Sequence, residues 1–383
     1  MREPSVRGAG TVDASLSEAY RGRRVLVTGH SGFKGGWLSF WLDRLGAKVA
    51  GIALPPPAGP SLFDALDLGD RIDSRFADIR DATALRATAS GLDAEMLFHL
   101  AAQPIVRRSH LAPADTFATN VVGTANLLDL ARTMPSLRAV IVVTSDKCYD
   151  NLEWWWPYRE GDRLGGTDPY SASKACTEIV AESYRRLWFG AASGPQLATA
   201  RAGNVIGGGD WAEDRLIPDI VRAAASRQPM LIRNPRSVRP WQHVFEPLYG
   251  YLMLGARLMG GDGGAFGGAW NFGPGADDEL DVETIARTMI ACLPGLDVPV
   301  RFGGEGNAAH EARILRLDSS KARAELGWRP RLSTNEAVAL TADWYAAHRG
   351  GSCDMRALSL AQLDEYRGAA RALSTDEELR ACA

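Results

Sequence analysis

The feature that most constrains the fold of this chain is a short apolar run followed by a glycine-rich turn, a helical pattern and a second apolar run. The first run covers residues 24–28 (RVLVT), and the turn GHSGFKGGW carries glycines with the spacing GxxGxxG. The helical pattern ends near Gly46, and the second apolar run covers residues 48–54. Continuous apolar runs are typical of strands buried on both faces. This order predicts a βαβ unit with parallel strands and a right-handed crossover.

The same alternation of apolar runs and helical patterns continues along the chain. Further strands are predicted at 95–100, 139–143, 196–202 and 269–272, and helices at 117–134, 170–189, 215–227 and 244–258. The expected fold class is α/β, a doubly wound parallel sheet of the Rossmann type. We expect a polar N-terminal arm (1–22), a sheet domain (23–203 with 244–272), a smaller, mostly C-terminal lobe (204–243 with 273–350) and a C-terminal segment (351–383).

The charge balance and hydropathy of the chain argue against several classes of protein. The 43 basic and 46 acidic side chains give a formal net charge of −3, which disfavours bulk electrostatic binding to nucleic acid or an anionic membrane. No run of about 18 apolar residues predicts a membrane-spanning helix, and the N-terminus lacks the apolar core of a secretory signal. The five cysteines are scattered without CxxC spacing, which favours free thiols in a reducing cytoplasm over a zinc site.

The glycine-rich turn predicts a binding site for a dinucleotide. Gly29, Gly32 and Gly35 permit a tight turn, close approach of a pyrophosphate to the backbone, and close packing of helix on strand. The N-terminus of the following helix offers free N–H groups to the phosphates. The second strand ends in GIALPPP, which has neither an acidic residue for the adenosine ribose nor an arginine for a 2′-phosphate. Asp78 is a candidate for contact with adenine, with a plain turn or helix cap as the alternative, so these residues do not decide between NAD and NADP.

Two groups of side chains are candidates for catalysis. Tyr170 and Lys174 (YSASK) share one face of a predicted helix, where the ammonium and an oxidised nicotinamide would stabilise the phenolate of a tyrosine that acts as a base. Ser145, Asp146 and Lys147 follow a predicted strand, and ligands of open α/β sheets bind beyond the carboxyl ends of strands. The alternatives are a solvated helical pair and a plain strand cap.

Taken together, seven segments of the chain resemble a known family. TGHSGFKG, HLAAQP, TSDKCYDN, DPYSASK, RAGNVIGGGDW, RPWQHV and WNFGP, in this order, are similar to CDP-glucose 4,6-dehydratases of the extended short-chain dehydrogenase/reductase superfamily. The resemblance runs from about Arg24 to the LAQLDEY segment. The glycine turn and YxxxK occur throughout the superfamily, whereas RPWQHV and the Asp146-Lys147 pair are more specific, because related dTDP-glucose dehydratases generally carry Asp-Glu there.

The resemblance implies a redox-neutral reaction in three stages. Tyr170 would take the proton of the C4 hydroxyl while the C4 hydride moves to NAD. The C4 ketone then acidifies the C5 proton, and water leaves across C5 and C6 with Asp146 as the acid. Lys147 would occupy the position of the C5 base, either as a base of lowered pKa or as an electrostatic stabiliser of the enolate. The hydride returns to C6, which gives a 4-keto-6-deoxy sugar nucleotide.

The resemblance also implies which residues bind the ligands. The sheet domain would bind NAD through Gly29, His30, Gly32, Phe33, Lys34, Gly35, Asp78, Ile79, Leu100, Ala101, Ala102, Gln103, Asn120, Thr144, Tyr170 and Lys174. The sugar nucleotide would contact Asn204, Arg215, Leu216, Arg233, Arg239, Gln242 and His243. Guanidinium groups suit the diphosphate, and we expect two of the three arginines to be true contacts.

Several further expectations and alternatives remain. The tryptophans at 154–156 are expected to form a hydrophobic loop under the active site or at a subunit contact rather than to stack on the sugar. Members of the family commonly pair through the helix that begins near Tyr170, which implies a homodimer or homotetramer. The rival interpretations are a dTDP- or UDP-glucose dehydratase, a 4-epimerase, and a non-catalytic NAD(P)-sensing protein of the same fold.

Overall fold

The computed structural model describes most of the chain. The described residues are 10–191, 194–232, 234–275, 278, 280–293, 299–303 and 312–381, with no side chains described for 10–14 and 369–381. The strands are β1 (Arg24–Thr28), β2 (Lys48–Ala53), β3 (Asp73–Phe76), β4 (Met96–His99), β5 (Ala139–Val143), β6 (Gln196–Ala202), β7 (Val205–Ile206), β8 (Met230–Ile232), β9 (Val238–Arg239), β10 (Gln242–His243), β11 (Gly268–Phe272), β12 (Leu280–Asp281) and β13 (Val300–Phe302).

Helices connect and cover these strands. They are α1 (Gly10–Tyr20), α2 (Phe33–Arg44), α3 (Leu62–Ala65), α4 (Ala82–Thr88), α5 (Val106–Leu111), α6 (Pro113–Phe117), α7 (Gly123–Ala131), α8 (Pro169–Leu187), α9 (Leu216–Ser226), α10 (Phe245–Leu258), α11 (Val282–Cys292), α12 (Thr334–Gly350) and α13 (Met355–Ala381). The helix predicted at 117–134 is divided, because a π-helical turn at Ala118–Val122 separates α6 from α7.

A parallel sheet of seven strands forms the centre of the described chain. Its order is β11-β6-β5-β4-β1-β2-β3, and every neighbouring pair is parallel. The doubly wound α/β class predicted from the sequence is therefore confirmed. All seven strands lie within residues 23–203 and 244–272, the segments assigned to the sheet domain. The division into domains itself stays a prediction.

Successive side chains of the strands face two separate hydrophobic cores. On β5, Val140 and Val142 belong to one core and Ile141 and Val143 to the other, which is the period of two expected of a strand. Side chains of α4, α7 and α8 cover the first face, and those of α1, α2 and α10 cover the second. Burial on both faces explains why these strands read as continuous apolar runs.

Within the polar N-terminal arm predicted from the sequence, residues Gly10–Tyr20 instead form the helix α1, which packs on the domain. Leu16 and Tyr20 of α1 are buried, and the Tyr20 hydroxyl donates a hydrogen bond to the carbonyl of Leu252 in α10 at 2.8 Å. At the other end of the chain, Leu363 and Tyr366 of α13 are also buried. The prediction was wrong because two apolar side chains one turn apart suffice to bury one face of a short helix.

No helix within the described residues is both long enough and apolar enough to cross a bilayer. The cytoplasmic location expected from the sequence stays a prediction.

Candidate active site

A cleft of about 930 Å³ opens at the carboxyl ends of the central strands, where β1 lies between β4 and β2 and the strand order reverses. It brings together most of the residues predicted from the sequence. They are Gly29, Gly32, Phe33, Lys34, Gly35, Asp78, Ile79, Leu100, Ala101, Ala102, Gln103, Thr144, Ser145, Asp146, Lys147, Tyr170, Lys174, Asn204, Arg215, Leu216 and Arg239.

The glycine turn between β1 and α2 has the close backbone contacts that require glycine. Gly29 has a φ of +78°, and a Cβ there would lie 2.8 Å from the backbone nitrogen of Ala101. A Cβ on Gly35 would lie 2.0 Å from the carbonyl oxygen of Gly29. These contacts bring the start of α2 against the end of β1, with the turn lining the cleft. The backbone therefore forms a cradle that fits the pyrophosphate of a dinucleotide.

The candidate catalytic tyrosine and lysine lie on the first two turns of α8. Asp168 caps this helix by accepting a hydrogen bond from the backbone nitrogen of Ser171 at 3.0 Å, and Pro169 occupies its first position. Tyr170 and Lys174 are both buried. The local sequence DPYS thus fixes where the helix begins and places both side chains at the cleft.

The electrostatics of Tyr170 differ from the expectation. Burial raises the pKa of its phenol to about 12, while a hydrogen bond with Ser145 lowers that pKa and the charge of Asp146 raises it. The nearby cation that lowers this pKa is Arg215. The Lys174 ammonium, which was expected to do so, donates a hydrogen bond to the carbonyl of Val143 at 3.3 Å. The chain alone therefore does not hold Tyr170 as a phenolate near neutral pH.

Asp146 lies at the end of β5, in a short chain of polar groups with Tyr170. The Ser145 hydroxyl donates a hydrogen bond to Asp146 Oδ1 at 2.9 Å, and Ser145 also lowers the pKa of Tyr170. Asp146 Oδ2 is buried and has no hydrogen-bond partner among the described residues. Burial raises the pKa of this carboxyl, while the charges of Lys147, Arg239 and Lys34 lower it. A carboxyl with a raised pKa and one unengaged oxygen is suited to donate a proton to a ligand.

Cationic side chains converge on the same cleft. Arg215 is paired with Asp210 at 2.7 Å, and Arg239 donates a hydrogen bond to the carbonyl of Val238 at 2.9 Å. Burial, followed by the charges of Arg215 and Lys174, lowers the pKa of Lys34 to about 7. This concentration of positive charge is suited to the diphosphate groups of a nucleotide. Arg233, the third predicted arginine, lies outside the described residues.

Two predicted cofactor residues have side chains that do not line the cleft. The His30 ring is buried between Phe63 and Phe76 and shares a hydrogen bond of 2.7 Å with Ser74. Asn120 is buried behind the cleft, where its amide donates a hydrogen bond to Ser173 at 2.8 Å. Neighbouring elements turn both side chains into the interior, and a part for either residue in binding the cofactor stays a prediction.

Two predicted substrate residues are likewise absent from the lining. Gln242 and His243 are buried on β10, which pairs with β7, and the Gln242 amide donates a hydrogen bond to the carbonyl of Phe272 at 2.8 Å. Because β10 pairs with β7, the side chains of Gln242 and His243 face the interior rather than the cleft.

The remaining sequence expectations concern the edges of the site. The Asp78 carboxylate lines the cleft but is engaged by Arg80, with 2.8 Å between its Oδ2 and the arginine Nε. Its contact with adenine stays a prediction.

Trp155 and Trp156 are 74% and 73% exposed, so they are not packed under the active site. Trp154 stacks on Tyr158, with 5.2 Å between ring centroids.

Comparison with known proteins identifies the family. The model of the NAD dependent epimerase/dehydratase family matches residues 25–265. The chain belongs to this family. It is also 48% identical over 354 residues to a CDP-glucose 4,6-dehydratase of Salmonella typhimurium, a match that covers 91% of this chain and 98% of that protein. The membership confirms the expectation that NAD is the cofactor.

Solved structures agree with this assignment to the NAD-dependent epimerase/dehydratase family. DesIV, a dTDP-glucose 4,6-dehydratase from Streptomyces venezuelae crystallised with NAD, is 27% identical with a TM-score of 0.69 and covers 87% of this chain and 99% of its own. A UDP-glucose-4-epimerase from Stenotrophomonas maltophila, 21% identical with a TM-score of 0.73, covers 86% of this chain and 100% of its own. The likeness to this epimerase concerns the fold alone.

In this epimerase/dehydratase family member, two acidic residues that were not predicted from the sequence lie next to the predicted site. Asp210 pairs with Arg215, and Glu178 lies beneath Lys174 on α8. The spacing of four residues between Lys174 and Glu178 places both on one helix face, which could have revealed the second. Asp210 lies in a glycine-rich loop and has no comparable periodic signal.

Proposed function

We propose that this protein is a CDP-glucose 4,6-dehydratase, which converts CDP-D-glucose to CDP-4-keto-6-deoxy-D-glucose and water. The observation that carries the proposal is the buried Asp146 carboxyl, which is bonded to Ser145 and lines the same cleft as Tyr170. Loss of the C6 hydroxyl as water requires an acid in addition to the base at C4, whereas epimerisation at C4 does not. The identity of 48% with a relative named CDP-glucose 4,6-dehydratase supports the nucleotide.

In the proposed mechanism, Tyr170 accepts the proton of the C4 hydroxyl. NAD, when bound in the cradle of the glycine turn, supplies the hydride acceptor for C4, the donor for C6 and one positive charge. Because the pKa of Tyr170 is about 12 in the chain alone, this charge adds to that of Arg215 in favouring the phenolate. Lys174 contributes a further ammonium on the same helix face.

We assign the elimination of water to the residues that follow β5. Burial keeps the Asp146 carboxyl protonated to a higher pH than an exposed aspartate, so it can give its proton to the departing C6 hydroxyl. Lys147 is assigned to the C5 step: it accepts the C5 proton as water leaves and returns that proton to C5 when the hydride is delivered to C6. Its charge is the one that most strongly lowers the pKa of Asp146.

A product assay over several donors tests this proposal. With NAD supplied, CDP-glucose is expected to give a product lighter by one water, with kcat/KM on the order of 100-fold or more above dTDP-glucose and UDP-glucose. Mass spectrometry of the products distinguishes the alternatives. Hexose isomers alone would contradict dehydration and indicate an epimerase, while a preference for dTDP-glucose would contradict the nucleotide assignment.

We also propose that the protein forms a homodimer or homotetramer through α8. Ile179 and Leu187 on this helix are 60% and 68% exposed, and such apolar surface favours association. Light scattering at micromolar concentration is expected to give the mass of a dimer or tetramer, and Ile179→Asp is expected to shift the distribution toward the monomer. A native protein that stays monomeric over this range contradicts the proposal.

A further inference from the structure

A buried carboxylate lies one turn beyond Lys174 on α8 and contacts two strands of the sheet. Glu178 has a side chain that is 3% exposed. Its Oε1 accepts a hydrogen bond from the Thr144 hydroxyl, at the end of β5. Its Oε2 accepts hydrogen bonds from Thr199 at 2.7 Å and from the guanidinium of Arg201 at 2.8 Å, both on β6. One carboxylate thus connects the helix of Tyr170 and Lys174 to β5 and β6.

Arg201, the ion-pair partner of Glu178, extends the connection to the residues that follow the Ser145–Lys147 segment. Arg201 is also buried, and its second terminal nitrogen donates hydrogen bonds to the Tyr149 hydroxyl at 2.8 Å and to the carbonyl of Glu160 at 3.1 Å. The Tyr149 hydroxyl in turn donates to Oδ1 of Asn271, on β11, at 2.7 Å. Tyr149 comes two residues after Lys147 in the chain.

The two ends of the Ser145–Lys147 segment are therefore held by one ion pair. Thr144 precedes the segment and is bonded to Glu178, while Tyr149 follows it and is bonded to Arg201. A buried ion pair contributes little net stability, since desolvation of both charges offsets their attraction. Here the ion pair instead fixes the position of the Ser145–Lys147 segment relative to α8.

We propose that the Glu178–Arg201 ion pair is a positioning device, which sets the Asp146 segment against α8 and keeps Lys174 in its ammonium form. The inference rests on the proposed function, because it assigns the proton transfers to these two elements. Glu178 and Arg201 do not line the cleft themselves and act through residues that do, namely Thr144, Tyr149 and Lys174.

The charges around Lys174 give the proposal a measurable consequence. Burial lowers the pKa of Lys174 to about 8, and the charge of Glu178 is the main influence that raises it. The other titratable groups that act on Lys174, or are acted on by it, are Cys148 after β5, His99 on β4 and Lys34 on α2. Glu178 is the carboxylate that acts on Lys174. Removing its charge therefore lowers the pH at which the ammonium is lost.

The test is the pH dependence of the first hydride transfer in Glu178→Gln. NAD-loaded enzyme is mixed with CDP-glucose, and NADH formation is followed in a single turnover, a step that does not require the acid Asp146. The alkaline limb of the rate is expected to move down by about one pH unit from the native pKa of about 8, so that the rate is about 2-fold lower at pH 7 and about 10-fold lower at pH 9. Glu182→Gln is the matched control, since Glu182 lies one turn further along α8 in exposed pairs with Arg185 and Arg186.

Two further variants keep the proposal testable if Glu178→Gln folds poorly. The double variant Glu178→Gln/Arg201→Gln leaves no unpaired buried charge, and its alkaline limb is expected to shift as in the single variant. Tyr149→Phe removes one loop anchor but no charge at neutral pH, so elimination of water should slow about 10-fold with the alkaline limb of NADH formation unmoved.

Two outcomes overturn the proposal. The first is an alkaline limb of NADH formation that lies at the same pH in folded Glu178→Gln, or in the double variant, as in the native enzyme. The second is a rate of water elimination in Tyr149→Phe equal to that of the native enzyme. Failure of the proposed function looks different, because the native enzyme itself would then form no NADH with CDP-glucose.

Discussion

Tyr170→Phe is expected to lower turnover of CDP-glucose by about 1,000-fold, within the range of roughly 10² to 10⁴ that a general base contributes. The substitution removes the oxygen that accepts the C4 hydroxyl proton and retains the aromatic ring, which is buried in α8. Binding of NAD and of the sugar nucleotide is expected to change little, because the cradle of the glycine turn and the cations of the cleft remain. Steady-state kinetics and calorimetric titration measure the two quantities.

Tyr184→Phe is the matched control for this experiment. Tyr184 lies on the same helix but outside the cleft lining, where its hydroxyl has a long contact of 3.4 Å with the carbonyl of Ala125. Its removal is expected to leave turnover unchanged. Native turnover in a folded Tyr170→Phe protein would refute the assigned base. If the native protein binds NAD and sugar nucleotide but converts no sugar nucleotide to product, the NAD(P)-sensing alternative is favoured instead.

Asp146→Asn is expected to stop the reaction after the first hydride transfer. The amide has the shape of the carboxyl but cannot give a proton to the C6 hydroxyl, so elimination of water should fall by roughly 10²- to 10⁴-fold. Oxidation at C4 depends on Tyr170 and is expected to continue. NADH absorbance should therefore persist after mixing with CDP-glucose, while the native enzyme shows it only transiently. Rapid-mixing absorbance and product mass follow the two steps.

The pH dependence of the native elimination step has a defined sign. Because burial raises the pKa of Asp146, the acid form is fully present below that pKa and is lost as the pH rises through it. Elimination should decline on the alkaline side, and Asp146→Asn should lack this limb. Asp150→Asn, the same change four residues along the chain and outside the cleft lining, is the control. Normal dehydration by Asp146→Asn would exclude Asp146 as the acid.

Features that depend on residues close in sequence were predictable. The strands were found because side chains that alternate between two buried cores give short continuous apolar runs. The glycine turn was found because a positive φ at Gly29 and the close contact at Gly35 leave no room for a Cβ. The spacing of Tyr170 and Lys174 on a helix follows from its 3.6-residue period.

Features that depend on distant parts of the chain were decided by the tertiary structure alone. His30 and Asn120 were both predicted to bind the cofactor, yet aromatic neighbours and buried hydrogen bonds turn their side chains away from the cleft. The ion pair of Glu178 and Arg201 joins a helix to a strand. The pKa of Tyr170 is set mainly by burial and by Ser145, Asp146 and Arg215, which come from other segments of the chain. Burial and electrostatics depend on which elements pack together, and no local periodicity encodes that packing.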